Sequence, residues 1–410
     1  MPELGGREMN NNLAYSTTES ILPPVELDTT AYNIGHDTVF SCNFTHRLRF
    51  TANVFAAGNT ILLEILSRES RHCSNIAIFI DANVAKTRAN LTNKINGYFK
   101  KYLPENSPKI HVIPGGEQVK NDQIYFKQIL DAIEQSHLCR KSFVIAMGGG
   151  AVLDAVGFAA SITHRGLRLV RIATTTLSQA DSAMAVKNGI NAFGKKNFMG
   201  VFYTPWAVIN DEETLGTLTM PHWLGGFSEA VKVALLKDPL LFEYMYRNCD
   251  GIKARNLDIS IPVIRRSAKL HFDHITLNGD PFELQDARPL DFGHWSAHKL
   301  EQMSGFELSH GRAVAIGIAI DATYANNMGW LSDVEHRRIL ECLDGMGFEL
   351  YHRSMQHGKT LLGGLDEFQE HLGGRLTIPS ISKIGGAFDI FEIDTNKMLA
   401  AISYLERFDK

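Results

Sequence analysis

At 410 residues, with 44% hydrophobic and 21% charged positions, the chain has the size and balance of a two-domain globular protein. A formal charge of −4 leaves no basic footprint for nucleic acid or an anionic membrane surface, and no apolar run reaches the about 18 residues of a membrane span. Five scattered cysteines without a CxxC pair point to reduced thiols and a cytoplasmic setting.

Residues 1–30 read as a polar extension that lacks the apolar core of a signal peptide. About residues 36–56, β-branched and aromatic side chains alternate with polar ones, which predicts a pair of strands. GNTILLEILSRES (58–70) reads as a helix, and NIAIFID (75–81) as a buried strand ending in Asp81. The same alternation then repeats. TRANLTNKINGYFKKYL (87–103) is an amphipathic helix, KIHVIPGGE (109–117) a strand, QIYFKQILDAIEQSH (123–137) a helix and SFVIAMGGG (142–150) a strand. AVLDAVGFAASITH (151–164) is helical and LRLVRIATT (167–175) is a fourth strand, so residues 31–210 form an α/β domain with a parallel sheet and crossover helices. From 211 to 410 apolar residues recur at helical spacing, with a capping-box start at Ser332 and Glu335, and the second domain is predicted to be helical. The boundary falls near residues 205–215.

Several stretches carry chemistry. Gly148, Gly149 and Gly150 follow a strand and open a helix, where backbone N–H groups can meet a phosphate; the same run can also serve only as a tight turn. Asp81 ends its strand where a ribose could be bound, and the PGGEQVKN loop brings Glu117 and Lys120 to the same edge, the carboxyl ends of parallel strands. Residues 174–197 hold Asp181, Lys187, Asn191, Lys195, Lys196 and Asn197 among small residues, a composition suited to a phosphorylated substrate. Glu229 and Lys232, at i and i+3, share the face of an apolar helix. His294 and His298, at i and i+4, also share a helical face, and His310 returns after a Gly-containing turn. Such histidines can bind a divalent metal or simply sit half-buried with hydrogen-bond partners; Glu229 with His294 and His310 would make a set of two histidines and one carboxylate with open positions.

These residues, in order and spacing over about 75–390, resemble the dehydroquinate synthase superfamily, the sugar phosphate cyclases. They are GGGAVLD at 148–154, Arg165–Gly166, Asp181 to Lys187, Lys196–Asn197, Tyr203 to Asp211, Glu229 with Lys232, Glu283, Gly293–His294, His298 and HGRAVAIG at 310–317. The resemblance implies an NAD-binding α/β domain, a helical second domain, an active site between them and a homodimer. It implies zinc or cobalt on Glu229, His294 and His310. It places the substrate phosphate on Lys187, Asn197, His298 and His371, joined by Arg165 from the neighbouring subunit. NAD would meet Asp81, Asn83, Glu117, Lys120, Gly149, Gly150, Asp154, Thr174, Thr175 and Lys196, and the reacting carbons would lie among Lys187, Asp181, Lys232, Glu283, His298 and Asp291.

The departures shape the expected substrate. Dehydroquinate synthases read RxxLNxGHTxGH and present a lysine and an arginine to a substrate carboxylate. Here Ala287 stands at the arginine position with Arg288 beside it, Asp291 replaces the asparagine, and no lysine lies between Lys269 and Lys299. An added acid and missing cations disfavour a carboxylate by roughly 2–5 kcal/mol, whereas a neutral hydroxymethyl group would hydrogen-bond to Asp291. Sedoheptulose 7-phosphate is the family's substrate of that kind. Leu277, Asp291 and His371 are similar to the valiolone-forming cyclases, and His298, where the 2-epi-5-epi branch tends to carry proline, leans towards the 2-epi product. The reaction so implied is a carbon–oxygen lyase cycle: transient oxidation by NAD, β-elimination of phosphate, re-reduction and intramolecular aldol closure. The alternatives are a 3-dehydroquinate synthase using Arg288 and Lys299, a metal-dependent polyol dehydrogenase, and a catalytically inactive NAD-binding protein.

Overall fold

The computed structural model describes residues 37–68, 75–278, 280–282, 289–371 and 374–408. The chain divides into two compact units, Met1–Asn43 and Phe44–Lys410, and every strand and helix among the described residues lies in the second. The first part of that unit runs β1 (Leu48–Thr51), α1 (Ile61–Leu66), β2 (Ile76–Asp81), α2 (Ala82–Thr87), α3 (Leu91–Tyr102), β3 (Lys109–Ile113), α4 (Gln118–Asn121), α5 (Gln123–Gln135), β4 (Phe143–Gly148), α6 (Gly150–Ile162) and β5 (Arg168–Ala173). It continues with α7 (Thr176–Ala180), a hairpin of β6 (Lys187–Ala192) and β7 (Lys195–Phe202), and β8 (Ala207–Asp211).

Six of these strands form one parallel sheet in the order β1-β8-β5-β4-β2-β3. β2 and β4 are buried along their whole length, which their unbroken apolar sequences require when helices cover both faces of a parallel sheet. The two faces hold separate cores, one around Phe79, Val144 and Val156, the other around Ile78, Ile145 and Phe99. Asp81, Gly148 and Asp211 close their strands at one edge, and the Asp211 carboxylate accepts the backbone N–H of Asn53 at 2.7 Å and of Val54 at 3.1 Å. That edge is the ligand-binding edge of such folds.

The second part is built of α8 (Met220–Lys237), α9 (Pro239–Arg247), α10 (Cys249–Lys253), α11 (Leu257–Leu277), α12 (His294–Met303), α13 (His310–Asn327), α14 (Asp333–Met346), α15 (Gly358–His371), the antiparallel pair β9 (Ile378–Lys383) and β10 (Gly386–Ile390), and α16 (Thr395–Phe408). α8 and α13 are buried nearly all round, so they form the centre of the helical layer. Among the described residues no helix is long and apolar enough to cross a membrane.

The architecture is the expected one, an α/β part followed by a helical part. Four local readings change. Within 37–56 the described residues hold one strand, β1, which pairs in parallel with β8, so the segment is an edge strand and not a strand pair. The polar segment 174–197, for which no strand was expected beyond residue 175, runs through α7 into the β6–β7 hairpin, whose turn puts Phe193 at φ 53° and Gly194 at φ 72°. β9 and β10 add a hairpin to the helical part, turning at Gly385 with φ 82°. At Ser332 half of the capping box forms: its hydroxyl accepts Glu335 N–H at 3.3 Å, while the Glu335 carboxylate accepts the backbone N–H of Ile384 at 3.0 Å. The extension at 1–30, Glu283, Ala287, Arg288 and the His371 side chain lie outside the described residues.

Candidate active site

Glycines bring the helices of the site together. A Cβ on Gly311 of α13 would sit 2.4 Å from Gly225 Cα of α8, so the two backbones can touch only because Gly311 has no side chain. Glu229 is one turn beyond Gly225 and His310 immediately precedes Gly311, which sets the carboxylate facing the imidazole. The turn before α12 passes through Gly293 at φ 77°, and its N–H donates to Asp321 Oδ2 at 2.8 Å; Asp321 Oδ1 accepts Trp295 Nε1–H at 2.8 Å. Asp321 thereby grips both neighbours of His294, and burial pushes its carboxyl up to about 7 despite these two hydrogen bonds.

Glu229, His294 and His310 present ligand atoms that all lie within 4.8 Å of one another. Glu229 Oε1 is 3.7 Å from His294 Nε2 and 3.4 Å from His310 Nε2. The Glu229 side chain is fully buried and neither oxygen has a well-directed hydrogen bond, although Lys232 Nζ lies 2.5 Å from Oε2. A buried carboxylate so poorly satisfied, converging with two imidazoles, fits a divalent cation. Burial alone would raise the Glu229 pKa; Lys232 and the two histidines hold it well below the ordinary carboxylate range. Burial lowers the His294 pKa, which suits a neutral ligand. Burial also opposes charge on His310, yet the carboxylates of Glu301 and Glu229 push it up to about 10. A cation coordinated by Nε2 must displace that proton.

Around this cluster, Asp181 closes α7 with Oδ2 3.5 Å from Lys232 Nζ and Oδ1 3.3 Å from His271 Nε2. Burial opposes charge on Lys232, but Glu229, Asp181 and Asp291 raise its pKa, so it stays an ammonium. Asp291 precedes α12 and its charge reaches Lys232, His294 and His298. The His298 ring centroid is 5.5 Å from His294 and 5.8 Å from His310, with its side chain exposed to solvent. The i, i+4 histidine pair is therefore one face with two environments, buried at His294 and open at His298.

The dinucleotide side lies along the sheet edge. Asp81 accepts Asn83 N–H at 2.8 Å to cap α2, and a Cβ on Gly115 would fall 2.2 Å from its carboxylate. Gly149 is the N-cap of α6 and, having no side chain to cap with, leaves the first turn of N–H groups for a ligand beginning at Gly150. Thr174 is buried with an unpartnered hydroxyl, whereas the Thr175 hydroxyl caps α7 in a reciprocal box with Ser178. Glycines at the edge, a long uncapped helix and an acid on the neighbouring strand fit a dinucleotide. Lys120 is buried and bonds Asp154 Oδ2 at 2.8 Å as well as Asn197 Oδ1; burial opposes its charge, but the carboxylates of Asp154, Glu117 and Glu301 raise its pKa. Asn197, at φ 53°, also accepts no chain geometry by chance: its own N–H donates to Asn191 Oδ1 at 2.8 Å, and Asn191 Nδ2 donates to Glu117 at 3.1 Å.

The structure thus gathers Asp181, Lys232, Glu229, Asp291, His294, His298 and His310 on the helical side, and Asp81, Asn83, Glu117, Lys120, Gly149, Gly150, Asp154, Thr174 and Thr175 on the sheet side. Lys196 joins the two, its Nζ 2.6 Å from Glu301 Oε1 and 3.8 Å from Glu117 Oε1. Lys187 begins β6, held by Arg171, which is fully buried and donates to the carbonyls of Ala183 (3.0 Å), Ala185 (2.6 Å) and Lys187 (3.1 Å). Arg165 is exposed at the far end of α6, about 20 Å from Gly150 at 1.5 Å per residue, and is outside its own chain's cluster. Sequence reasoning missed Glu301, His271, Arg171 and Asp321. Only Glu301 had a readable signal, its place at i+7 from His294 on the same helical face.

Two family models match the chain: 3-dehydroquinate synthase N-terminal over residues 110–224 and 3-dehydroquinate synthase C-terminal over 226–363. A 3-dehydroquinate synthase from Ruegeria sp. is 31% identical over 296 residues, 71% of this chain and 79% of that one. The 2-epi-5-epi-valiolone synthase of Streptomyces glaucescens is 30% identical over 319 residues, 77% of this chain and 79% of that one. Among solved structures, ValA, a 2-epi-5-epi-valiolone synthase from Streptomyces hygroscopicus subsp. jinggangensis with NAD+ and Zn2+ bound, superposes with a TM-score of 0.81 at 26% identity, covering 91% of this chain and all of its own.

Proposed function

The chain belongs to the 3-dehydroquinate synthase family, and on that premise we propose that it is a sugar phosphate cyclase that converts sedoheptulose 7-phosphate to a valiolone-type cyclitol, 2-epi-valiolone or 2-epi-5-epi-valiolone, with loss of phosphate. The observation that carries this reading is the sign of charge around the reacting position. Asp181, Glu229 and Asp291 all act on the ammonium of Lys232, and Asp291 stands where dehydroquinate synthases carry an asparagine. A substrate carboxylate would meet Asp181 and the added acid Asp291 beside that ammonium; a hydroxymethyl group would find acceptors instead.

When bound, NAD supplies a transient hydride acceptor and zinc or cobalt a Lewis acid that polarises the substrate oxygens. The chain's own part is positioning and proton handling. Glu229, His294 and His310 hold the cation. Lys232, kept charged by Glu229 and Asp181, orients substrate hydroxyls, and Asp181 with its neighbour His271 stands ready to accept a proton. Lys187, His298 and the amide of Asn197, with Arg165 of a second copy, fix the phosphate that leaves.

Released inorganic phosphate measured with sedoheptulose 7-phosphate, and separately with the carboxylate sugar phosphate from which 3-dehydroquinate forms, tests this. The expected preference for the former is about 30-fold or more, the ratio for 2 kcal/mol at about 1.4 kcal/mol per tenfold. No net NADH should accumulate, and stoichiometric NADH would make the protein a dehydrogenase. The reverse preference would make it a 3-dehydroquinate synthase, the reading that most curated relatives' names favour.

A further inference from the structure

We propose that Glu301 is the positioning residue for His310, and that Lys196 holds Glu301 in place from the dinucleotide side. The inference rests on the reading of Glu229, His294 and His310 as metal ligands. His310 begins α13 after the N-cap Ser309, and its ring lies between two carboxylates. Glu301 Oε2 is 3.3 Å from Nδ1, and Glu229 Oε1 is 3.4 Å from Nε2. A neutral imidazole has one N–H, and a carboxylate can only accept. With the proton on Nδ1 it is donated to Glu301, and the Nε2 lone pair is left for a cation shared with Glu229 and His294. The other tautomer would set two lone pairs against each other at Glu301 and would put a hydrogen where the cation must bind. Glu301 therefore selects the tautomer that can coordinate, and fixes the plane of the ring.

Glu301 is itself constrained. Only 2% of it is exposed, and a carboxylate that buried needs partners on both oxygens. It has them: His310 on Oε2 and Lys196 Nζ at 2.6 Å on Oε1. Lys196 is the second residue of β7 and is backed by Glu117 at 3.8 Å, which also receives Asn191. One chain of contacts thus runs from the loop after β3, through the β6–β7 hairpin, to a ligand on α13. α12 makes this possible because His294, His298 and Glu301 follow one another at i, i+4 and i+7 on one face.

The test is zinc affinity, read by competition with a chromogenic chelator on metal-stripped protein, with thermal unfolding of the stripped protein as the control for folding. Glu301→Ala should weaken zinc binding by about 10–100-fold, the usual cost of removing such a partner. Glu301→Gln should lose less, because its amide oxygen still accepts the Nδ1–H, and Lys196→Met should shift affinity in the same direction by a smaller factor. Zinc binding within twofold of wild type in both Glu301 variants overturns the proposal. So does a Glu301→Gln loss as large as that of Glu229→Gln, which would make Glu301 a ligand. If Glu301→Ala does not fold, Glu301→Gln decides alone. Failure of the wild type to bind zinc would overturn the metal reading instead, so the two failures are distinct.

Discussion

Lys232 is the counter-ion on which the buried acids depend. Its Nζ lies 2.5 Å from Glu229 Oε2 and 3.5 Å from Asp181 Oδ2, and Glu229 is fully buried. Removing one partner of such a pair leaves a buried charge uncompensated, which costs about 3–5 kcal/mol. Lys232→Met in metal-stripped protein should therefore lower stability by that order, measured by urea unfolding. Added zinc should restore more stability to the variant than to the wild type, because the cation takes over part of the compensation at Glu229. An equal zinc effect on both proteins would mean that Glu229 does not face the cation. His310 and Glu301 illustrate the same rule from the other side. The imidazole is held high, at about 10, and the carboxylate low, at about 2, because each supplies the charge the other needs in a site that burial would otherwise keep neutral.

At the scale of elements, the junction of α12 and α13 is set by Asp321. Its carboxyl, at about 7 in the fold, would ionise near 3.9 in the unfolded chain. Between those values the folded chain keeps a proton that the unfolded chain has lost, so this group's contribution is most favourable below about pH 4 and declines as pH rises through 7. The full decline is about 4 kcal/mol, three pH units at 1.36 kcal/mol each. Unfolding of metal-stripped protein followed from pH 4 to 8 should show this slope, and Asp321→Asn should flatten it while weakening the grip on Gly293 and Trp295. The sequence displayed most elements that are apolar on a regular period: β2, β4 and β5 as continuous runs, α3 and α5 as amphipathic helices. It hid those whose stability comes from partners. β1 is four residues long and is a strand because β8 pairs with it. The β6–β7 hairpin was obscured because its residues serve the site and its turn uses Phe193, a non-glycine at φ 53°. Within the site, the convergence of Asp81, Glu117, Lys120 and the Gly148–Gly150 run was legible from strand ends. Glu301 was legible only in its i+7 spacing from His294, because a glutamate on a helix face otherwise looks like solvated surface until the β6–β7 hairpin and α13 are laid over it.

For the molecule as a whole, one surface asks for a second copy. β7 turns Phe198 (54% exposed), Met199 (40%) and Phe202 (42%) outward, and Phe193 at the hairpin tip is 86% exposed. Apolar side chains so grouped on one strand are typical of an interface. We propose that Arg165, exposed beyond the C-terminal end of α6 and about 20 Å from that helix's N-terminus, completes the phosphate site of a neighbouring subunit. In a homodimer each site then draws Lys187 from one protomer and Arg165 from the other. Arg165→Ala and Lys187→Ala should each be nearly inactive alone. Unfolded and refolded together in equal amounts, they should form half of their dimers as mixed pairs, in which one of two sites has both residues intact. Phosphate release should recover to about a quarter of the wild-type rate, and Phe198→Glu introduced into both chains should abolish the recovery while shifting the protein towards a 45.6 kDa monomer in light scattering. No recovery from mixed dimers, with both variants folded, would place Arg165 outside the site.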